Sequence, residues 1–143
     1  MYAVPPAPCK RTYAILRIYP GDLDPTEVTE RLGIEPTLCQ WQGKLRHPGK
    51  PAHIASLNGW FLSSKDAVDS NDSRQHIDWI LQQLAPCSKA LKELQAMGAR
   101  TDLFCFWESV DGHSGPVMSP QQMQKIADLE LDCGYEVLVR SGR

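Results

Sequence analysis

The chain has 143 residues, 42% hydrophobic and 22% charged, with a formal net charge of −2. That length fits one domain, or two small halves sharing a core, of ordinary globular composition. The charge gives no global pull toward nucleic acid or anionic membrane, and no apolar run approaches the ~20 residues of a membrane helix. Any recognition by charge must come from a local patch.

Residues 1–11 read as a disordered, Pro-rich lead-in, with neither the basic region nor the hydrophobic stretch of a secretory signal; the location expected from this is the cytoplasm. A strand follows over Thr12–Tyr19, with Ala14, Leu16 and Ile18 on one face and Tyr13, Ile15, Arg17 and Tyr19 on the other. Asp24, Pro25 and Glu27 then spell a helix start: a side-chain cap, proline at the first helical position and the third member of a capping box. The helix ends at Leu32, with Gly33 as its left-handed stop. Thr37–Gln42 reads as a short edge strand, Gln42–His53 as a loop, and Trp60–Ser64 as an aromatic strand after the Asn58-Gly59 turn.

Ile77, Ile80, Leu81 and Leu84 repeat at i, i+3, i+4, i+7, an amphipathic helix broken at Pro86. A second helix carries Leu91, Leu94 and Met97 before Gly98. Leu103–Trp107 is apolar on both faces, as an interior strand of a covered sheet would be. Ser119, Pro120 and Gln122 repeat the first helix's opening, with Met118 and Met123 placed as a staple and Met123, Ile126, Ala127 and Leu129 as its inward face. Tyr135–Val139 is the last strand.

This order predicts a single α+β domain over residues 12–140: a first half 12–64, a helical insert 72–98 and a second half 101–140. Each half is a strand–helix–strand unit, and a helical crossover calls for a parallel pair. Two such units in one sheet predict a ferredoxin-like α/β sandwich with the helical pair between them, and with the first and third main strands central.

Taken together, Leu23-Asp24-Pro25, Glu27-Val28, Leu32-Gly33-Ile34-Glu35-Pro36, Gly59 to Ser64, Ile80-Leu81, Leu84-Ala85-Pro86 and Ser119-Pro120 form a recognisable string. It resembles the bacterial family catalogued as domain of unknown function 4279, from about Thr12 to Val139. The resemblance implies a small stand-alone protein and brings no catalytic residues with it.

The stretch from Pro36 to Ser64 holds Lys44, Arg46 and Lys50 and no acidic residue. Together with His47 and His53, these side chains suit a phosphate, a carboxylate or an acidic protein patch, with Trp41 and Trp60 as packing neighbours. Those seven residues are the candidate contact site. His47 and His53 lack the spacing of a metal pair, the five cysteines are odd in number and form no CxxC, and Cys105 and Cys133 read as small buried hydrophobes. No metal or cofactor is expected. Asp111, His113 and Ser114 share a loop that reads as a turn, and no phosphate-cradling loop or nucleophile elbow occurs.

The leading expectation is therefore a non-catalytic module that binds another protein, in the manner of an immunity protein. The alternatives are a regulatory domain for a small ligand and an unrecognised hydrolase. Nucleic acid is not expected as a partner, because the Phe104–Trp107 strand reads as covered and lacks an RNP-like pattern. A homodimer would cover the edge strands.

Overall fold

The computed structural model describes residues 2–45 and 54–139. Its elements run β1 (Cys9–Tyr19), α1 (Pro25–Leu32), β2 (Leu38–Gln40), β3 (Gly59–Ser63), α2 (Ser73–Leu84), a 3-10 turn (Ala85–Cys87), α3 (Ser88–Ala96), β4 (Arg100–Ser109), α4 (Pro120–Asp128) and β5 (Asp132–Leu138). Among the described residues no helix is long and apolar enough to cross a membrane.

The strands form one sheet in the order β2-β3-β1-β4-β5, so the first and third main strands, β1 and β4, are central as expected. The pairing in the first half differs from the expected parallel unit: β3 runs antiparallel to β1, with Leu16 opposite Leu62. The reason is β2. It pairs antiparallel with β3 and so runs in the direction of β1, which makes it, and not β3, the strand to which α1 returns the chain. β3 then turns back and inserts between them. β4 is antiparallel to β1 and hence parallel in direction to β3, so α2 and α3 are the crossover between β3 and β4. Among the described residues only β4–α4–β5 is a crossover between adjacent parallel strands, with Cys105 opposite Tyr135.

The helices cover one face of the sheet. α2 packs on β1 and β4, α1 on β3 and α3, and α4 on α2 and β5. Ala14, Leu16, Ile18, Trp60, Leu62, Leu103 and Cys105 point into this layer and meet Val28, Ile77, Ile80, Leu84, Leu91 and Leu94. The other face is open. Tyr13, Ile15, Arg17, Tyr19, Phe61, Phe104 and Phe106 alternate with the core positions and stay half-buried. β4 thus reads as apolar on both sides without being covered on both: Phe106 stacks on Tyr13 at 5.1 Å, and the Arg17 guanidinium lies 4.4 Å from the Phe104 ring. Aromatic stacking and cation–π contacts shield rings that a second helical layer would otherwise bury.

Local signals place the helices. Asp24 caps α1 by accepting from Thr26 N–H at 2.9 Å, and Gly33 closes it at φ 72°. In α4, Ser119 and Gln122 form the reciprocal capping box. The buried face of α4 differs from the expected one: Gln122, Ile126 and Leu129 are inside, while Met123 is 54% exposed and Ala127 is exposed too. Met97, expected inside at the end of α3, is also exposed. β1 begins at Cys9 and not at Thr12, because the strand's pairing with β4 extends to Cys9 opposite Ser109.

Candidate functional site

β2 and β3 continue beyond the sheet as a hairpin, where composition alone suggests a loop. Gly43 N–H donates to Ala55 C=O at 2.9 Å, Ala55 N–H to Lys44 C=O at 3.0 Å, and Leu45 bridges Ile54. Asn58 ties down the base: its amide donates to Gly21 C=O at 3.0 Å, and its side-chain carbonyl accepts from Gln42 N–H at 2.8 Å. The Trp41 indole donates to Asp24 at 3.1 Å, so the cap of α1 also anchors the hairpin. The Asp24 carboxyl is held below the usual carboxylate range, first by Thr26 N–H, then by the Trp41 indole and the Thr26 hydroxyl.

This hairpin carries Leu38, Trp41, Leu45, Ile54 and Leu57, each between 40% and 59% exposed. Single exposed apolar residues are ordinary; here Leu45 and Ile54 stand opposite each other across the hairpin, with Trp41, Leu57 and Leu38 further along its two strands. Lys44 is exposed beside them. Arg46, His47, Lys50 and His53 lie outside the described residues. Trp60 is elsewhere: it is fully buried, with its indole donating to Thr29 Oγ1 at 2.9 Å, and it holds α1 to the sheet. A contact surface on the hairpin therefore draws on Trp41 and Lys44 without Trp60.

A cleft of about 630 Å³ opens between α2 and α4, within the size range of small-molecule sites. Leu81 and Leu129 supply apolar wall, and Asp78, Gln82, Gln121, Lys125 and Asp128 supply polar groups. Gln122 fixes its floor. Its Nε2 donates to Arg74 C=O and to Asp78 Oδ1, each at 2.8 Å, and its Oε1 accepts from Ser119 N–H at 3.2 Å. Tyr2 forms one wall, donating its hydroxyl to the other oxygen of Asp78 while the Arg74 guanidinium lies 4.3 Å from its ring centroid. Burial, then the bond to Asp78, pushes the Tyr2 phenol well up. The sequence hid this site because a glutamine in a capping box reads as surface, and because Tyr2 lies among residues read as a lead-in.

Ser64 and His76 form a pair with the outline of a catalytic dyad. Ser64 Oγ lies 2.6 Å from His76 Nδ1, and His76 Nε2 lies 2.8 Å from Ser70 C=O. A carbonyl only accepts, so Nε2 carries the proton and Nδ1 accepts from the Ser64 hydroxyl. Ser64 Oγ in turn accepts from Ala14 N–H at 2.9 Å. Both side chains are sealed, at 0% and 1% exposure, so no substrate reaches the hydroxyl. The pair instead joins β1, the end of β3 and α2. Burial lowers the His76 pKa, against the bond to Ser70, and keeps the ring neutral.

Asp111 accepts from His113 N–H at 2.9 Å and Ser114 N–H at 3.3 Å, an Asx turn that occupies its carboxylate with backbone. Cys105 is buried as expected, but Cys133 is exposed, because β5 is an edge strand. Interaction between these two thiols raises the Cys105 pKa, with burial adding to it, and lowers that of Cys133. Among the described residues no three His, Cys, Asp or Glu side chains are grouped to hold a metal ion.

Among the described residues the structure thus defines an α+β domain with a half-open sheet, a hairpin that exposes apolar side chains and Lys44, and a cleft between α2 and α4. The family described as domain of unknown function DUF4279 matches residues 10–139, and the chain belongs to that family. No curated protein and no solved structure matches it.

Proposed function

We propose that this protein is a non-catalytic binding domain whose hairpin docks on an acidic patch of another protein, shielding it as an immunity protein shields its target. The observation that carries this reading is the coincidence of five exposed apolar side chains with a stretch, Pro36 to Ser64, that holds cations and no carboxylate. Apolar anchors give such a contact its affinity, and the cations steer it and select its partner. The same reading takes β1 to β4 as a ferredoxin-like core to which α4 and β5 are appended, and free thiols fit a reducing cytoplasm. Changing Lys44, Arg46 and Lys50 to Ser should weaken capture of the partner that the wild type binds by about tenfold or more, and more so at low salt. Leu45→Ser with Ile54→Ser should weaken it at every salt concentration. Capture unaltered in both variants removes the hairpin from the contact.

A second reading, a regulatory domain for a small ligand, is favoured by the cleft. Lys125 suits a carboxylate, Asp78 and Asp128 an amine, and Leu81 and Leu129 an apolar group, so the ligand class is a small apolar zwitterion. A ligand present at ~100 times its Kd would add about 2.7 kcal/mol of stability, a thermal shift of several degrees. A screen of amino acids and dipeptides should show that shift in the wild type and lose it in Lys125→Met. A flat screen counts against this reading and leaves the hairpin untouched.

A further inference from the structure

The open face of the sheet has a charge pattern that runs across the strands. On the β3 and β1 side stand Lys65, whose ammonium lies 5.6 Å from the Tyr13 ring centroid, and Arg17. On the β4 and β5 side stand Asp102, which Arg17 grips at 2.7 and 2.9 Å, and Glu136. The pairing sets these in rows. One row reads Glu136, Phe106, Tyr13 and then Lys65; another reads Asp132, Asp102, Arg17 and Phe61. These two rows are acidic at the β5 end, with the cation toward β3; Arg100 on β4, over Tyr19, and Arg11 on β1, over Phe106, add a cation on either side.

Such a face is complementary to itself. A two-fold axis parallel to the strands, running between β1 and β4, lays β1 on the second copy's β4 and β3 on the second copy's β5. It preserves position along the strands, so each row meets its own reverse. Glu136 then faces the second copy's Lys65, Asp102 its Arg17, and Phe106 its Tyr13. An isologous contact requires this reciprocity, and half-buried aromatic rings with arginine are the side chains that dimer interfaces favour. The same pattern argues against a polyanion as occupant, because the carboxylates Asp102, Asp132 and Glu136 stand among the cations. We propose that the open sheet face is the interface with a second copy of this chain, two sheets stacked across a two-fold parallel to their strands. This goes beyond the hairpin reading and leaves the hairpin free, because that element projects past the end of the sheet.

Sedimentation equilibrium over a concentration series tests it. Glu136 and Lys65 are both exposed, so exchanging their charges spares the core. The wild type should be a dimer. Glu136→Lys and Lys65→Glu should each raise the dimer Kd by about tenfold or more, from like charges brought face to face. The double variant should recover the wild-type Kd, since each new lysine meets the second copy's new glutamate. Circular dichroism spectra of the single variants that match the wild type confirm that the fold is unchanged, while their melts should fall with the weakened dimer. A wild type monomeric throughout the series overturns the proposal, whether or not the face then retains an oligonucleotide or another protein. So does a dimer that neither single variant weakens, or a double variant that fails to recover.

Discussion

Trp60→Ala should lower the unfolding free energy by about 3–5 kcal/mol, read as a shift in denaturant midpoint at unchanged slope. The Trp60 ring is fully buried between α1 and the sheet, so truncation leaves a large cavity and strips Thr29 of its indole donor. Trp41→Ala should shift the midpoint far less, because Trp41 is 40% exposed and its one bond, to Asp24, faces solvent. The contrast separates two tryptophans that the sequence presents alike. Trp60 maintains the fold, and Trp41 is available for contact. Equal losses from the two would mean that the hairpin is part of the core.

The second large effect is at His76. His76→Ala should cost about 3–4 kcal/mol, since it opens a cavity and leaves both the Ser64 hydroxyl and the Ser70 carbonyl without their buried partner. His76→Gln, which keeps an acceptor and a donor without titrating, should cost less and reveal a pH signature. In the wild type, burial depresses the folded-state pKa below the ordinary value near 6.5. The unfolded chain therefore binds the proton first. The stability this group contributes is complete above pH ~6.5 and is lost as pH falls, by at most about 1.4 kcal/mol per pH unit. The Gln variant should show a flatter profile between pH 7 and 5. A profile as steep as that of the wild type would place the titration elsewhere.

Where the sequence carries its own local physics, it could be read directly. The i, i+3, i+4, i+7 repeat of Ile77, Ile80, Leu81 and Leu84 names the buried face of α2, and Asp24 and Ser119 cap helices where the pattern places them. Strand direction was harder, because α1 leads into β2, only three residues long, and a reading of longer runs takes β3 as the strand that α1 reaches. One-sided cover of the sheet was hidden by Phe104 and Phe106, whose apolar character signals burial while arginines and a tyrosine provide their shelter. The candidate site divided in the same way. Basic and aromatic composition pointed to the hairpin, but could not separate Trp41 from Trp60. The cleft depends on Gln122 and Tyr2, whose burial comes from tertiary bonds to Asp78 and Arg74 over long sequence separations.

The account rests on the hairpin as the contact element, and site-specific photo-crosslinking tests that most directly. Benzoylphenylalanine would replace Leu45 on the hairpin, Gln121 at the cleft, or Lys92 on α3, in cells expressing the protein at native level. One discrete heterologous adduct formed from position 45, lost when Lys44, Arg46 and Lys50 are changed to Ser and missing from positions 121 and 92, is the predicted result. The same adduct formed from position 121 or 92 with none from position 45 would contradict it.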